Sequence, residues 1–325
     1  MKRRIKIYLL LLISFVLTAC NTEGEEEMVD QKEENLVVEE PINAEELPEY
    51  LINGDFDRIY GQASEEFQEN VTIEQFKELG SSFNEGVEYF ELVSKVPVQG
   101  LIEYQWMNDK EDKGIRSYFS EDLTIEGLLF LPITSYPETD EQYTENTYQM
   151  PVNEEWFTFW GGTNELVNYH YAVESQRYAY DLVITQGDSS FDGNPAVNES
   201  YYAFGKEVIA PNHGVVVSVE NNIEDNTPTV DTNTEQPLGN HVIIEHENNE
   251  YSIIAHFQKD SVKVNVGDEV SAGDVLGLAG NSGNSSEPHI HFHVADGPDW
   301  KTATSIRIKF ENGWDPVRGD FVTGF

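Results

Sequence analysis

The run Pro288-His289-Ile290-His291-Phe292-His293-Val294 alternates histidine with apolar residues and holds three of the chain's eight histidines within five positions. Side chains of an extended strand point alternately to its two faces. A strand here sets His289, His291 and His293 on one face and Ile290, Phe292 and Val294 on the other, so that an apolar layer backs a row of imidazoles. Neutral imidazole is the commonest protein ligand for zinc, and a strand holds a ligand more rigidly than a loop does. The plainer account is a half-buried strand whose exposed face carries histidine by chance. That account is weakened by three histidines sharing one face in a chain with no histidine before residue 170.

The N-terminus has four basic residues (Lys2, Arg3, Arg4 and Lys6), then an apolar run from Ile7 to Leu17. The run is too short to span a bilayer comfortably and reads as a secretory leader over residues 1–19. Cys20 is the only cysteine of the 325 residues. The tetrad Leu17-Thr18-Ala19-Cys20 resembles the lipobox of bacterial lipoproteins. That resemblance implies cleavage before Cys20, a lipid on its sulfur and retention at the outer face of the cell membrane, facing the wall. With no second thiol there is no internal disulfide, and any metal must be held by His, Asp or Glu.

Residues 21–47 carry eleven acids and one lysine, and such a segment has too little apolar surface to fold alone. Residues 20–46 are therefore expected to be a disordered acidic tether. The whole chain, with 60 acids and 19 basic residues, has a formal charge of −41. So negative a surface repels phosphate backbones and anionic lipids. Nucleic acid is excluded as a partner, and membrane attachment falls to the lipid.

Residues 47–135 read as helix followed by strand. Thr72-Ile73-Glu74-Gln75 is a capping box, with Gly80 placed to end its helix, while Gly100 to Trp106 and Leu123 to Leu131 are rich in strand formers. Tyr50-Leu51-Ile52-Asn53-Gly54-Asp55-Phe56 and Ile125-Glu126-Gly127-Leu128 resemble a small cone-shaped α+β domain of the nuclear-transport-factor-like type. Residues 136–155, polar and with Pro137 and Pro151, read as a linker. From 156 to 325, short β runs (Val215 to Val219, His241 to Glu245, Tyr251 to His256) are separated by glycine turns, the pattern of an all-β unit. The expected fold is thus multidomain, a small α+β unit followed by a mainly antiparallel β domain.

A catalytic zinc takes about three protein ligands and leaves one position open. His291 is central in the histidine row. Asp181 interrupts the apolar run Tyr178 to Ile184, where a buried carboxylate needs a positive partner; a metal would be one, and the neighbouring Arg177 another.

The ordered segments Ala210-Pro211, His213-Gly214-Val215-Val216, Gly239 to His246, Ala255-His256-Phe257, Val266-Gly267-Asp268, Gly280 to Ser285 and Pro288 to Phe292 resemble the lysostaphin-type, or LytM-like, zinc peptidases. The resemblance covers about residues 178 to 294. It implies a compact antiparallel β scaffold, one zinc ion and hydrolysis of amide bonds in peptidoglycan peptides by a zinc-dependent metalloendopeptidase. Zinc acts there as a Lewis acid and lowers the pKa of its water toward neutrality. Carried over position by position, the resemblance makes Asp181 and His291 metal ligands, and His256 and His289 catalytic. The family's remaining ligand is a histidine at the position held here by Arg177, whose guanidinium has no lone pair to offer. His170, eleven residues before Asp181, is the expected replacement, and Arg177 is expected to pair with a carboxylate near the site. His293 stands where the family commonly has glutamate and keeps two readings, support for His291 or a solvent-facing side chain. His241 and His246 are expected to be structural and His213 exposed. The loop Asn221 to Pro237 reads as a groove wall or as a disordered insertion. The competing function is an inactive scaffold that binds wall peptides or a partner hydrolase. A third reading, a lipoprotein that delivers zinc to a transporter, does not need the ordered glycine and asparagine motifs.

Overall fold

The computed structural model describes residues 40–324. The leader, Cys20 and the tether up to residue 39 lie outside the described residues. The last part of the segment expected to be tether is packed: Ile42 and Ala44 are buried against the first helices. Among the described residues no helix is long and apolar enough to cross a membrane.

Four short helices come first: α1 (Leu47–Asn53), α2 (Phe56–Gly61), α3 (Glu65–Asn70) and α4 (Ile73–Phe83). Thr72 and Gln75 close the capping box of α4, each side chain accepting from the other's backbone N–H at 3.3 and 3.0 Å, which satisfies two donors the helix start leaves free. Gly80 does not end α4, which continues to Phe83. A Cβ at position 80 would lie 2.4 Å from Cε1 of Phe56, so the glycine is there to admit an aromatic ring.

The helices cover one face of an antiparallel meander, β1 (Phe90–Val98), β2 (Leu101–Asn108), β3 (Lys113–Phe119) and β4 (Ile125–Pro132). Tyr104 and Trp106 of β2 join Leu51, Phe56, Ile59 and Phe76 in this core. The alternate residues Glu103 and Gln105 face the other way and are buried as well, because the C-terminal part of the chain packs over them.

After α5 (Pro137–Asp140) follow β5 (Trp156–Trp160), β6 (Tyr180–Val183), β7 (Glu207–Ile209), β8 (Gly214–Glu220), β9 (Asn240–Glu245) and β10 (Tyr251–Phe257). β11 (Glu269–Val270), β12 (Val275–Leu278), β13 (Ile290–Ala295), β14 (Ser305–Ile306) and β15 (Phe321–Val322) complete the chain. The nine-stranded sheet runs β11-β8-β9-β10-β13-β6-β5-β15, with β14 beside β13, while β7 and β12 form a separate pair. Its pairings are all antiparallel.

Residues 136–155 are not a loose linker. Tyr148, Met150 and Val152 are buried in the main β core beside Trp156 and Ile308, and the Tyr148 hydroxyl donates to Glu250 at 2.9 Å. Their period of two, interleaved with Thr147, Gln149 and Pro151, is a strand-like pattern that the polar composition masked. Nor do the flanking units stand apart. Val96 packs with Phe157 and Val183, and Ile133 with Leu166 and Val167, so residues 41–324 share continuous buried boundaries.

Candidate metal centre

Antiparallel register builds the site. β6 and β13 pair so that Asp181 lies directly opposite His291, and directly opposed residues share a face of the sheet. On the other face Ile290, Phe292 and Val294 enter the main core. Ile253 lies beside His293 and Ala255 beside His291 on the histidine face; His291 and His293 are buried and His289 is partly exposed. His289 lies just ahead of the strand and is pinned by backbone pairing with Gly280.

His256 enters by a bulge. Strand alternation would send residue 256 away from the face of Ala255, but the pairing of β10 with β9 slips between Ala255 and Phe257, and His256 has φ of 70°. A bulge with one residue in this left-handed region re-aims a side chain, and a non-glycine residue held there marks local strain. Phe257 consequently returns to the core, and the His256 ring comes to 4.6 Å from that of His289.

His170 sits in a 3₁₀ turn, Tyr169–Ala172. Buried Asn168 ties this turn down: its side chain accepts from His170 N at 3.1 Å and donates to the carbonyls of Gly162 at 3.0 Å and Ala179 at 3.1 Å. His170 Nε2 thereby lies 3.0 Å from one Asp181 oxygen, and His291 Nδ1 lies 2.9 Å from the other. The three potential ligand atoms are within 4.8 Å of one another. Tyr169 lies against His170, with ring centroids 3.9 Å apart and planes tilted by 34°, and brings its hydroxyl to 3.4 Å from Asp181.

The hydrogen bonds around the rings fit a cation. His170 Nδ1 faces the Gln176 side-chain oxygen at 3.1 Å, and His291 Nε2 faces His293 Nδ1 at 2.8 Å. If each of these nitrogens donates its proton outward, the opposite nitrogen turns a lone pair toward the carboxylate. A metal ion satisfies both lone pairs and the anion together, and two imidazoles with one carboxylate match the donor set of a catalytic zinc. His293 Nε2 is buried without a partner, so fixing His291 leaves one polar atom unsatisfied.

The other two imidazoles are oriented differently. His256 Nδ1 donates to the Ser282 carbonyl at 2.8 Å, and His289 Nδ1 to the Glu287 carbonyl at 2.8 Å. Their Nε2 atoms keep lone pairs, and that of His289 points into the cluster, 3.8 Å from Asp181. Burial would by itself raise the Asp181 pKa, yet the imidazoles of His170, His289 and His291 around it hold it well below the carboxylate range. Burial, reinforced by the neighbouring imidazoles, pushes His256, His291 and His293 down, with the hydrogen bond to Asp181 opposing the shift at His291.

Arg177 takes no part, and among the described residues its expected pairing with a carboxylate near the site is not found. Its guanidinium lies 3.5 Å over the Tyr136 ring and donates to the Tyr171 carbonyl and the Thr139 hydroxyl. A ring face met the cation, and α5 carried it away from the pocket. His246 bridges the His213 carbonyl and Ser252, His241 contacts Gly239 and Ser218, and His213 is exposed. In the Asn221 to Pro237 loop, Ile223 is buried, and Asp225 accepts from the backbones of Asn281 and Lys259. The loop is thus tied to the glycine-rich segment. Sequence reasoning missed Asn168, Tyr169 and Trp160, although Asn168 and Tyr169 adjoin His170; Trp160 stands opposite Asp181 across β5 and β6.

Residues 200–301 match the model of Peptidase family M23, and no curated protein matches the chain. Among solved structures, the catalytic domain of lysostaphin from Staphylococcus simulans is 18% identical, with 47% of this chain and 88% of that one covered and a TM-score of 0.28. The catalytic domain of the prophage-encoded M23 protein EnpA from Enterococcus faecalis, in a point-mutant form, is 22% identical over 37% of this chain and 85% of that one, with a TM-score of 0.23. A zinc-containing peptidase from Vibrio cholerae is 15% identical over 63% and 54%, with a TM-score of 0.25. His256, His289 and His291 fall inside the matched span and His170 and Asp181 ahead of it, so the chain carries a Peptidase family M23 domain at residues 200–301.

Proposed function

We propose that the protein is a lipid-anchored zinc metalloendopeptidase that hydrolyses amide bonds in peptidoglycan peptides. One observation carries this reading: His170, Asp181 and His291 converge in a buried pocket beside two further imidazoles whose Nδ1 atoms are already committed to carbonyls. The M23 match over residues 200–301 supports the reaction class. The Leu-Thr-Ala-Cys tetrad ending at Cys20 supports attachment to the outer face of the membrane, where the wall is within reach. The helix-then-meander order of residues 44–132 is compatible with a cone-shaped α+β unit of the nuclear-transport-factor-like type.

Zinc held by His170, Asp181 and His291 would supply Lewis acidity toward the scissile carbonyl and a more acidic water. The residues handle the protons. Addition of water to the amide carbon needs a base, and breaking the C–N bond needs an acid at the leaving nitrogen. His256 and His289 both present a free Nε2, and between them they take up the first proton and return the second.

Release of free amines from purified sacculi by the mature protein, with and without a chelator, tests this assignment. Chelator-sensitive release is expected, and it should vanish in His170→Ala together with zinc binding. Tight zinc without any release would instead favour a lipoprotein that delivers zinc to a transporter.

A further inference from the structure

Residues 41–133 do more than sit ahead of the metal pocket. Glu103 of β2 is buried, and one of its oxygens accepts from Arg318 Nε and Nη2, both at 2.9 Å, and from Gln105 at 2.8 Å. Arg116 of β3 lies 3.6 Å from its other oxygen. Arg318 lies 4.1 Å over the Trp160 ring and also donates to the Phe159 carbonyl. The edge of Trp160 meets Tyr169 at 5.4 Å, and the Tyr169 ring lies against His170, their centroids 3.9 Å apart. A second line reaches the same loop, since Arg116 donates to the Leu166 carbonyl at 2.5 Å. The Leu166 side chain fills the space over Gly114, where a Cβ would lie 2.6 Å from it. The loop carrying the ligand that replaces the one missing at Arg177 is therefore gripped by the N-terminal sheet.

Resting on the zinc reading above, we propose that the N-terminal sheet positions His170 for the metal, with Glu103 acting through Arg318 and Trp160, and Gly114 acting through Leu166. Neither residue touches the metal pocket. Both are positioning residues, contributed by a part of the chain outside the M23 match.

The test uses the full chain with zinc alone as the probe. Glu103→Met combined with Arg318→Met removes both charges of the closest pair at once, and Arg116 keeps its hydrogen bond to the Leu166 carbonyl. Gly114→Ala leaves the ion pair intact and pushes on Leu166, which covers the case in which the double variant does not fold. Two quantities are read: amide hydrogen exchange of residues 166–171 and zinc affinity by competition with a chelator. Faster exchange confined to this loop is expected, with zinc binding weakened by about 10–100-fold, the range for groups that orient metal ligands. Unchanged loop exchange overturns the proposal, as does unchanged zinc affinity in both variants. If the wild-type chain does not take up zinc, the metallopeptidase reading fails, and loop exchange still decides this one.

Discussion

Glu103 and Asp181 are both carboxylates sealed within strands, at 2% and 4% exposure, and their surroundings differ in one respect. Glu103 meets the guanidinium of Arg318 in a two-pronged pair with Gln105 alongside. Among the described residues the ion-pair partners of Asp181 are imidazoles alone. A buried anion needs compensation; the first has it built into the chain and holds two parts of the molecule together. The second faces imidazole nitrogens that can turn lone pairs toward a cation. Compensation from within makes a structural joint, and its lack makes a site.

The contrast breaks most visibly at the ligands. Asp181→Asn and His291→Ala should each lose zinc and reduce wall cleavage to background, as read by chelator competition and amine release; retained zinc in either would dissolve the comparison. His256→Ala and His289→Ala should keep zinc while turnover drops by about 10²–10⁴-fold, the usual contribution of a positioned acid or base. Loss of metal in those variants would move them into the ligand set.

At the joint, Glu103→Leu strands the Arg318 charge and should lower stability by about 3–5 kcal/mol in denaturant unfolding. Removing both partners should be far milder, and equal damage from single and double changes would show that the pair itself counts for little. The smallest effect concerns pH. Burial lowers the His246 pKa below its usual value near 6.5, so the unfolded chain binds this proton more readily. Stability therefore falls as pH drops below about 6.5, by at most about 1.4 kcal/mol per pH unit for one such group. His246→Asn should be less stable than wild type at pH 7.5, with a gap that narrows toward pH 5.5; a constant gap would refute the buried-neutral assignment.

Much of the pocket was legible. The alternation at 288–294 foretold a face of histidines backed by Ile290, Phe292 and Val294, and the structure puts those apolar residues in the core. The capping box at Thr72 was equally plain. Gly80 misled because a glycine near a helix end satisfies two demands, chain reversal and close packing, and only the position of Phe56 tells them apart. Tyr148, Met150 and Val152 were hidden by polar neighbours, since composition averages away a period of two.

The sequence by itself determined what was available: one thiol at residue 20, a strand period that groups imidazoles, and an arginine that cannot ligate at position 177. Those are local properties, set by side-chain chemistry and by the two-residue repeat of extended backbone. Tertiary structure decided the partnerships. The Asn168-anchored turn that delivers His170 to Asp181, the ring that holds Arg177 aside, and the meeting of Glu103 with Arg318, 215 residues apart, all depend on how distant segments pack, which no local period encodes.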